Sequence, residues 1–305
     1  MNKRPLQSIV WFILFTIIIG ACQKDNLVNN AVNQSKTSQA KMAALDNSQM
    51  VSATQTVMGI TSDTFGQNGM IGGRTAGGGH NENDPQDGES GGCRPSITRS
   101  FNLDTSHKDS LIYSGTISID YGNGTTCTDS IHIRTGKITD AFVYILSYKD
   151  SLQFSSTETI TFDGFHKDTV QVDGTIIIAS SSSGPSSVEA KDAKITYKDG
   201  TFASWQGTLI YHYEKGEDRH WSGSTIKVTG SLSGTTRSGS NFTATITKEL
   251  VYQYGCFDKH KFTPVSGTIQ VVAGGVTSMV DYGDGTCHAT FTITTDGVTT
   301  VHTIG

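Results

Sequence analysis

The sequence predicts an all-β domain of antiparallel, hairpin-connected sheets, arranged as a sandwich or an elongated meander with a related motif at each end. Three observations lead there. From residue 93 onward, short alternating segments are separated by Asn123-Gly124, Asp163-Gly164, Asp173-Gly174, Asp199-Gly200, Asp284-Gly285 and Asp296-Gly297. Each of these dipeptides offers the positive φ that tight hairpins need. No ten-residue stretch of the region carries a convincing 3.6-residue period. Finally, Asp120-Tyr-Gly-Asn-Gly-Thr-Thr-Cys127 returns as Asp281-Tyr-Gly-Asp-Gly-Thr-Cys287. Each copy follows a Ser-Gly-Thr-Ile run, at 114–117 and 266–269, and has a Gly-Cys pair upstream, at Gly92-Cys93 and Gly255-Cys256. The two cysteine spacings, 34 and 31 positions, mark an internal repeat.

The chain has 305 residues, 35% of them hydrophobic and 17% charged, with 34 Gly. That is ample for one extracytoplasmic β-domain plus processed or polar segments. The net charge of −5 is mild and spread out. With no basic stripe to neutralise phosphates, nucleic acid is not an expected partner.

At the amino terminus, Lys3 and Arg4 precede the apolar run 9–19. The run is too short for a transmembrane span and suits a signal peptide, residues 1–21. It ends in Ile19-Gly20-Ala21-Cys22, and small residues before a cysteine look like the lipobox of bacterial lipoproteins. Cleavage there makes Cys22 the lipid-attachment residue and lowers the formal charge from −5 to −7 by removing Lys3 and Arg4. The following Gln23-Lys24-Asp25 partly matches the surface-export signal of Bacteroidetes lipoproteins, with only one acid and Asn26 breaking the run. The expected location is the outer membrane, lipid-anchored and exposed at the cell surface, so the membrane is a partner through the N-terminal lipid.

Residues 22–92 read as lipid anchor and flexible tether, because 26–92 is rich in Asn, Ser, Gln and Gly. A flexible chain of that length has an end-to-end distance of about 45 Å. Its expected job is reach. Within it, 38–57 is the one stretch with helical spacing, through Met42, Leu45 and Met50.

The β-rich domain is expected over 93–305. Segments 175–178, 193–197, 207–213, 226–232, 242–246 and 289–293 are its strands. Alternation assigns their faces: Thr243, Thr245 and Thr247 oppose Phe242, Ala244 and Ile246, and Thr290, Thr292 and Thr294 oppose Phe291 and Ile293. Thr157, Thr159 and Thr161 point outward in the same way. Segment 141–146, Ala-Phe-Val-Tyr-Ile-Leu, is apolar on both faces and is expected to be central or sandwiched.

Cys93, Cys127, Cys256 and Cys287 remain after lipidation, an even number that suits disulfides in an exported domain. The repeat favours Cys93–Cys127 and Cys256–Cys287, each closing a loop worth roughly 3 to 4 kcal/mol. The rival pairing joins the copies, Cys93 to Cys256 and Cys127 to Cys287.

The chemistry-bearing patterns are sparse. No helix follows the Gly-x-Gly of the repeated motif to hold a phosphate. The motif superficially resembles the Asp-Phe-Gly-Asp-Gly turn of PKD-type β-sandwich modules, but it ends on a cysteine and lacks the Trp before its Asp. It reads first as a tight turn whose Asp caps backbone amides. Asp120, Asp281 and Asp284 are the candidate carboxylates of an alternative reading, a surface polysaccharide hydrolase, which needs two such groups roughly 5 to 9.5 Å apart. Asn123 replaces the second acid in the first copy. None of the nine His shows metal-ligand spacing, and no Gly-x-Ser-x-Gly elbow occurs. No catalytic residue, metal or cofactor is expected. The binding candidates are aromatic: Trp205, Tyr211 and Tyr213 on one strand face, and Trp221 beyond it. Such ladders stack on sugar rings, but the same spacing is also the ordinary inner face of a sheet, the reading favoured here.

Several segments together carry a family resemblance. They are Thr116 to Cys127, Arg134-Thr-Gly-Lys-Ile138, Thr159-Ile-Thr-Phe-Asp-Gly164, Val172-Asp-Gly-Thr175, Val228 to Thr235, Pro264-Val-Ser-Gly-Thr268 and Val280 to Thr290. From Cys93 to the carboxyl end the chain resembles a family of uncharacterised Bacteroidetes lipoproteins. The resemblance implies a lipid-anchored surface or periplasmic β-protein and transfers no catalytic or binding residue. The expected function is a binding or structural role in the envelope, not catalysis, with a glycan or another envelope protein as partner.

Overall fold

A computed structural model describes residues 38, 40–47 and 95–303, apart from 123–132, 150, 168, 217–222, 257–262 and 289. Thirteen strands form one antiparallel sheet in which each strand pairs with its neighbours in sequence. They are β1 (Ser96–Asp104), β2 (Ser110–Asp120), β3 (Arg134–Ser147), β4 (Gln153–Lys167), β5 (Val170–Ser181), β6 (Ser186–Thr196) and β7 (Phe202–Glu214). Then follow β8 (Thr225–Thr235), β9 (Asn241–Gln253), β10 (Ser266–Ala273), β11 (Val276–Asp284), β12 (Thr290–Thr295) and β13 (Val298–Thr303). The outcome is the meander, not the two-sheet sandwich. The sheet is not closed into a barrel, so β1 and β13 are both edges.

One face carries the core. Ile117, Ile138, Ile160, Ile176, Ala190, Leu232, Ala244 and Val271 run across the middle strands, all buried and all part of one cluster that reaches Phe291 and Ile293. A single sheet hides a face only against a second layer or against itself. Among the described residues there is no second sheet, and the ladders carry β-bulges, which bend a strand and increase its twist. Register shifts interrupt the ladders of β3 with β4, β4 with β5, β5 with β6, β6 with β7, β8 with β9 and β10 with both its neighbours.

Two of these bulges correct the sequence reading. Asp163-Gly164 and Asp173-Gly174 lie inside β4 and β5, beside the shifts at Thr161/Phe165 and Asp173/Thr175, and turn no hairpin. Gly174 has φ +111° and abuts the backbone of Asp192 and Ala193, which leaves no room for a Cβ. An Asp-Gly pair supplies positive φ to a bulge as well as to a turn, so the dipeptide does not tell them apart. Asp199-Gly200 and Asp296-Gly297 do turn the β6–β7 and β12–β13 hairpins.

Segment 141–146, expected to be central or sandwiched, lies on β3, an interior strand paired on both sides, but only one of its faces is covered. Phe142 and Tyr144 are buried, but Val143 is 40% exposed on the outer face. The inner side chains of this strand instead join an aromatic ladder. Phe101 of β1 meets Phe142 at 6.0 Å and Tyr113 at 5.7 Å, Phe142 meets Tyr144 at 5.1 Å, and Tyr144 meets Phe154 at 5.8 Å. Gly115 makes room for it, because a Cβ there would stand 2.9 Å from both Phe101 and Phe142.

Within the segment read as tether, the stretch 38–57 with helical spacing carries a docked helix, α1 (38 and 40–47), and its remaining residues lie outside the described ones. Ala40, Ala43, Ala44 and Asn47 form its buried stripe, spaced i, i+3, i+4, i+7. Leu45 packs against the core from the side, while Met42 is only half-buried. Among the described residues no helix is long and apolar enough to cross a membrane.

The repeat resolves into a unit of cysteine, hairpin and turn. Cys256 precedes the β10–β11 hairpin and Cys287 follows it, as Cys93 and Cys127 flank β1–β2. The Cys256–Cys287 disulfide is formed, with Cα atoms 5.4 Å apart, which excludes the pairing between copies. Cys93 and Cys127 lie outside the described residues. The Ser-Gly-Thr-Ile runs are not equivalent: the first lies on β2, the second strand of its unit, and the other on β10, the first strand of its unit.

Candidate functional site

The repeated turn is built the same way twice. Asp120 Oδ1 accepts the Gly122 N–H at 2.7 Å, and Asp281 Oδ1 accepts the Gly283 N–H at 2.8 Å. The Tyr that follows each Asp turns into the core: Tyr121 meets Phe165 at 5.9 Å and Tyr282 meets Phe291 at 5.6 Å. Asp284 binds the Thr286 amide and hydroxyl, at 3.2 and 2.9 Å, and these bonds hold its carboxyl below the usual range. Each carboxylate is thus engaged by its own turn.

The meander also keeps them apart. Successive turns alternate between the two ends of the strands, so the turn after β2 and the turn after β11 lie at opposite ends. Eleven strand residues span roughly 35 Å, far beyond the separation a hydrolytic carboxylate pair needs. Asp120 and Asp281 are not brought together.

The aromatic candidates divide. Trp205 is 3% exposed and belongs to the core. Tyr211 lies on the same inner parity of β7, half-buried as a residue, with its hydroxyl enclosed and burial pushing its pKa up. Tyr213 is half-buried, donates to Ser224 Oγ at 3.0 Å and stands edge-on to Tyr254 at 5.9 Å. None of the three offers an open ring face, as the period of two along β7 requires for inward residues. Trp221 lies outside the described residues.

Sequence reasoning missed an acidic pair on the inner face. Asp140 of β3 is 2% exposed and neither carboxylate oxygen has a hydrogen-bond partner. Glu158 sits on the adjacent strand one row away, since Asp140 pairs with Ile160 and Phe142 with Glu158. Tyr144 donates its hydroxyl to Glu158 Oε1 at 2.8 Å. Burial, with the charge of Glu158 added, pushes Asp140 up to about 8, so it carries a proton at neutral pH. Burial raises Glu158 as well, against the Tyr144 bond. The one available signal was Asp140 standing on the inner parity of β3, between Ile138 and Phe142. Closed off from solvent, Asp140 has no route to an external polymer. Among the described residues no three His, Cys, Asp or Glu side chains are placed to hold a metal ion.

The outer face is different. A groove of about 680 Å³ crosses β6 to β9 and is lined by Glu189, Lys191, Gln206, Ser233, Thr243 and Thr245, with Gly207 in its floor. The register shifts at Ala190/Ala193 and Val228/Ser231 border it. Lys191 Nζ lies 3.3 Å from Glu189 Oε2 on its rim. Its side chains are mostly hydroxyl, amide and charged groups, joined by Ala190 and Leu232, a mixed lining that suits a ligand with both hydroxyls and apolar faces. Comparison with family models, curated proteins and solved structures returned no match for this chain.

Proposed function

We propose that the protein is a lipid-anchored, surface-exposed lipoprotein of the outer membrane that binds a polyhydroxylated ligand, an envelope glycan, and has no catalytic role. The observation that supports this most is the polar β6–β9 groove, in which Gln206, Ser233, Thr243 and Thr245 converge on one concavity. The engaged turn carboxylates leave a hydrolase without its pair. Cys22 carries the lipid in this reading. Ser38 of α1 lies sixteen positions after it, a stretch that spans at most about 55 Å. The helix therefore shortens the leash and ties the β6–β7 and β8–β9 turns to the membrane side. The test is binding of the purified chain to a panel of envelope polysaccharides, with and without Gln206→Ala and Thr243→Ala. Fractionation of Cys22→Ser checks the anchor separately, because that variant is expected to leave the membrane.

A further inference from the structure

The edge strand β1 is long and, among the described residues, has no strand paired on its outer edge. All nine residues pair with β2 in continuous register, from Ser96↔Asp120 to Asp104↔Ile112, with no bulge. It contains no Pro and no Lys, the usual means of blunting an edge. Its core-side residues are Ile97, Arg99, Phe101 and Leu103, opposite Ile119, Ile117, Gly115 and Tyr113. Because the sheet does not close, Phe101 remains 43% and Leu103 58% exposed. Phe101 is held by Tyr113 and Phe142 on its own side, which leaves its other side open.

We infer that β1 pairs antiparallel with β1 of a second copy of this chain, about a two-fold axis through Ser100. The sequence Ser-Ile-Thr-Arg-Ser-Phe-Asn-Leu-Asp is self-complementary in that register. Ile97 falls opposite the second copy's Leu103, which places apolar against apolar. Arg99 falls opposite the second copy's Phe101, which sets a guanidinium on the open ring face, a cation–π arrangement made twice by symmetry. The core-side residues of both copies stay on one side of the joined sheet, as the pleat requires. The other edge, β13, is a weaker candidate. It has six residues, and its exposed Val298 and Val301 point to opposite faces. A nine-residue seam is small for a stable interface, so the dimer is expected to depend on concentration. This inference is independent of the glycan reading, since it uses the β1 edge, which is remote in strand order from the β6–β9 groove.

The test is cysteine crosslinking of the full chain in detergent, on Ser100→Cys, Asn102→Cys and Thr300→Cys separately. Directly opposed residues have Cα atoms about 4.5 to 5.5 Å apart, within disulfide reach. The two copies of residue 102 would stand about 13 Å apart, outside it. The expected result is a reducible dimer for Ser100→Cys, with residue 100 joined to residue 100 in the linked peptides, and none for Asn102→Cys. Adding Arg99→Ala should lower the yield about fivefold, with the melting temperature of each variant unchanged. A monomer at every position overturns the inference. So does equal crosslinking at 100 and 102, or a dimer joined at Thr300.

Discussion

The backbone N–H of Arg237 donates to Asp46 Oδ2 at 3.0 Å, fastening the amino-terminal helix to the β8–β9 turn. The turn is itself braced. The Arg237 guanidinium lies 3.7 Å over the Tyr197 ring and pairs with Asp199 Oδ2 at 2.9 Å. Asp46 is 7% exposed, and burial raises its pKa despite the Arg237 contacts. Removing the acceptor in Asp46→Ala leaves a part-buried N–H unpaired, at a cost of about 1 kcal/mol or somewhat more. The expected outcome is a melting temperature lower by several degrees, with faster proteolytic cutting at residues 38–47. An unchanged cutting rate would mean that the helix does not depend on this bond.

Acid should stabilise the fold rather than weaken it. The folded pKa of Asp140, about 8, stands above its ordinary 3.8. Between those values the folded chain holds a proton that the unfolded chain releases. Its stabilising contribution is therefore full below about pH 4 and is lost as pH rises to about 8, at roughly 1.4 kcal/mol per pH unit. Glu158 and Asp46 are raised too and act in the same sense. Asp104, Asp199, Asp284 and Glu214 are lowered, the opposite sense, but they are surface carboxylates with weak leverage. Thermal melts from pH 8 to pH 5 should show a rising midpoint. Asp140→Asn should raise the midpoint at pH 8 and flatten the slope. A midpoint that falls toward pH 5 would contradict this account of the buried pair.

The second turn and its disulfide should differ sharply in weight. Asn at 281 retains an oxygen able to accept the Gly283 amide, so Asp281→Asn should cost less than about 1 kcal/mol. Cys287→Ser opens a loop of 31 positions and should cost roughly 3 to 4 kcal/mol. Melts of both variants, with thiol counting for the freed Cys256, check the ratio. An equal loss in the two would give the turn carboxylate a role beyond capping.

Much of this fold is legible in the sequence because strand alternation is local. Thr243, Thr245 and Thr247 do face outward, and Trp205 and Leu209 do face the core. The repeated cysteines likewise announce their local bridge between 256 and 287. What escaped is what depends on how separate strands and the helix pack together. Val143 looks sandwiched by composition, but it stands 40% exposed on the outer side of β3. The burial of Asp140 follows from neighbouring strands, and its side chain alone gives no sign of it. Ala43 and Ala44 are too small to stand out in a polar segment, yet small size is what lets α1 lie close to the core. The groove depends on bulges in four strands and has no linear motif at all.

The central claim, a polar ligand held on the outer face, is tested most directly by calorimetric titration of envelope polysaccharide into the purified chain. The comparison is between the wild type and the double variant Gln206→Ala, Thr243→Ala, with Thr157→Ala as an outer-face control on β4, away from the groove. Loss of two hydrogen-bonding side chains should weaken binding about tenfold or more, while the control matches the wild type. Binding equal in all three proteins, or no heat from any polysaccharide, would contradict it.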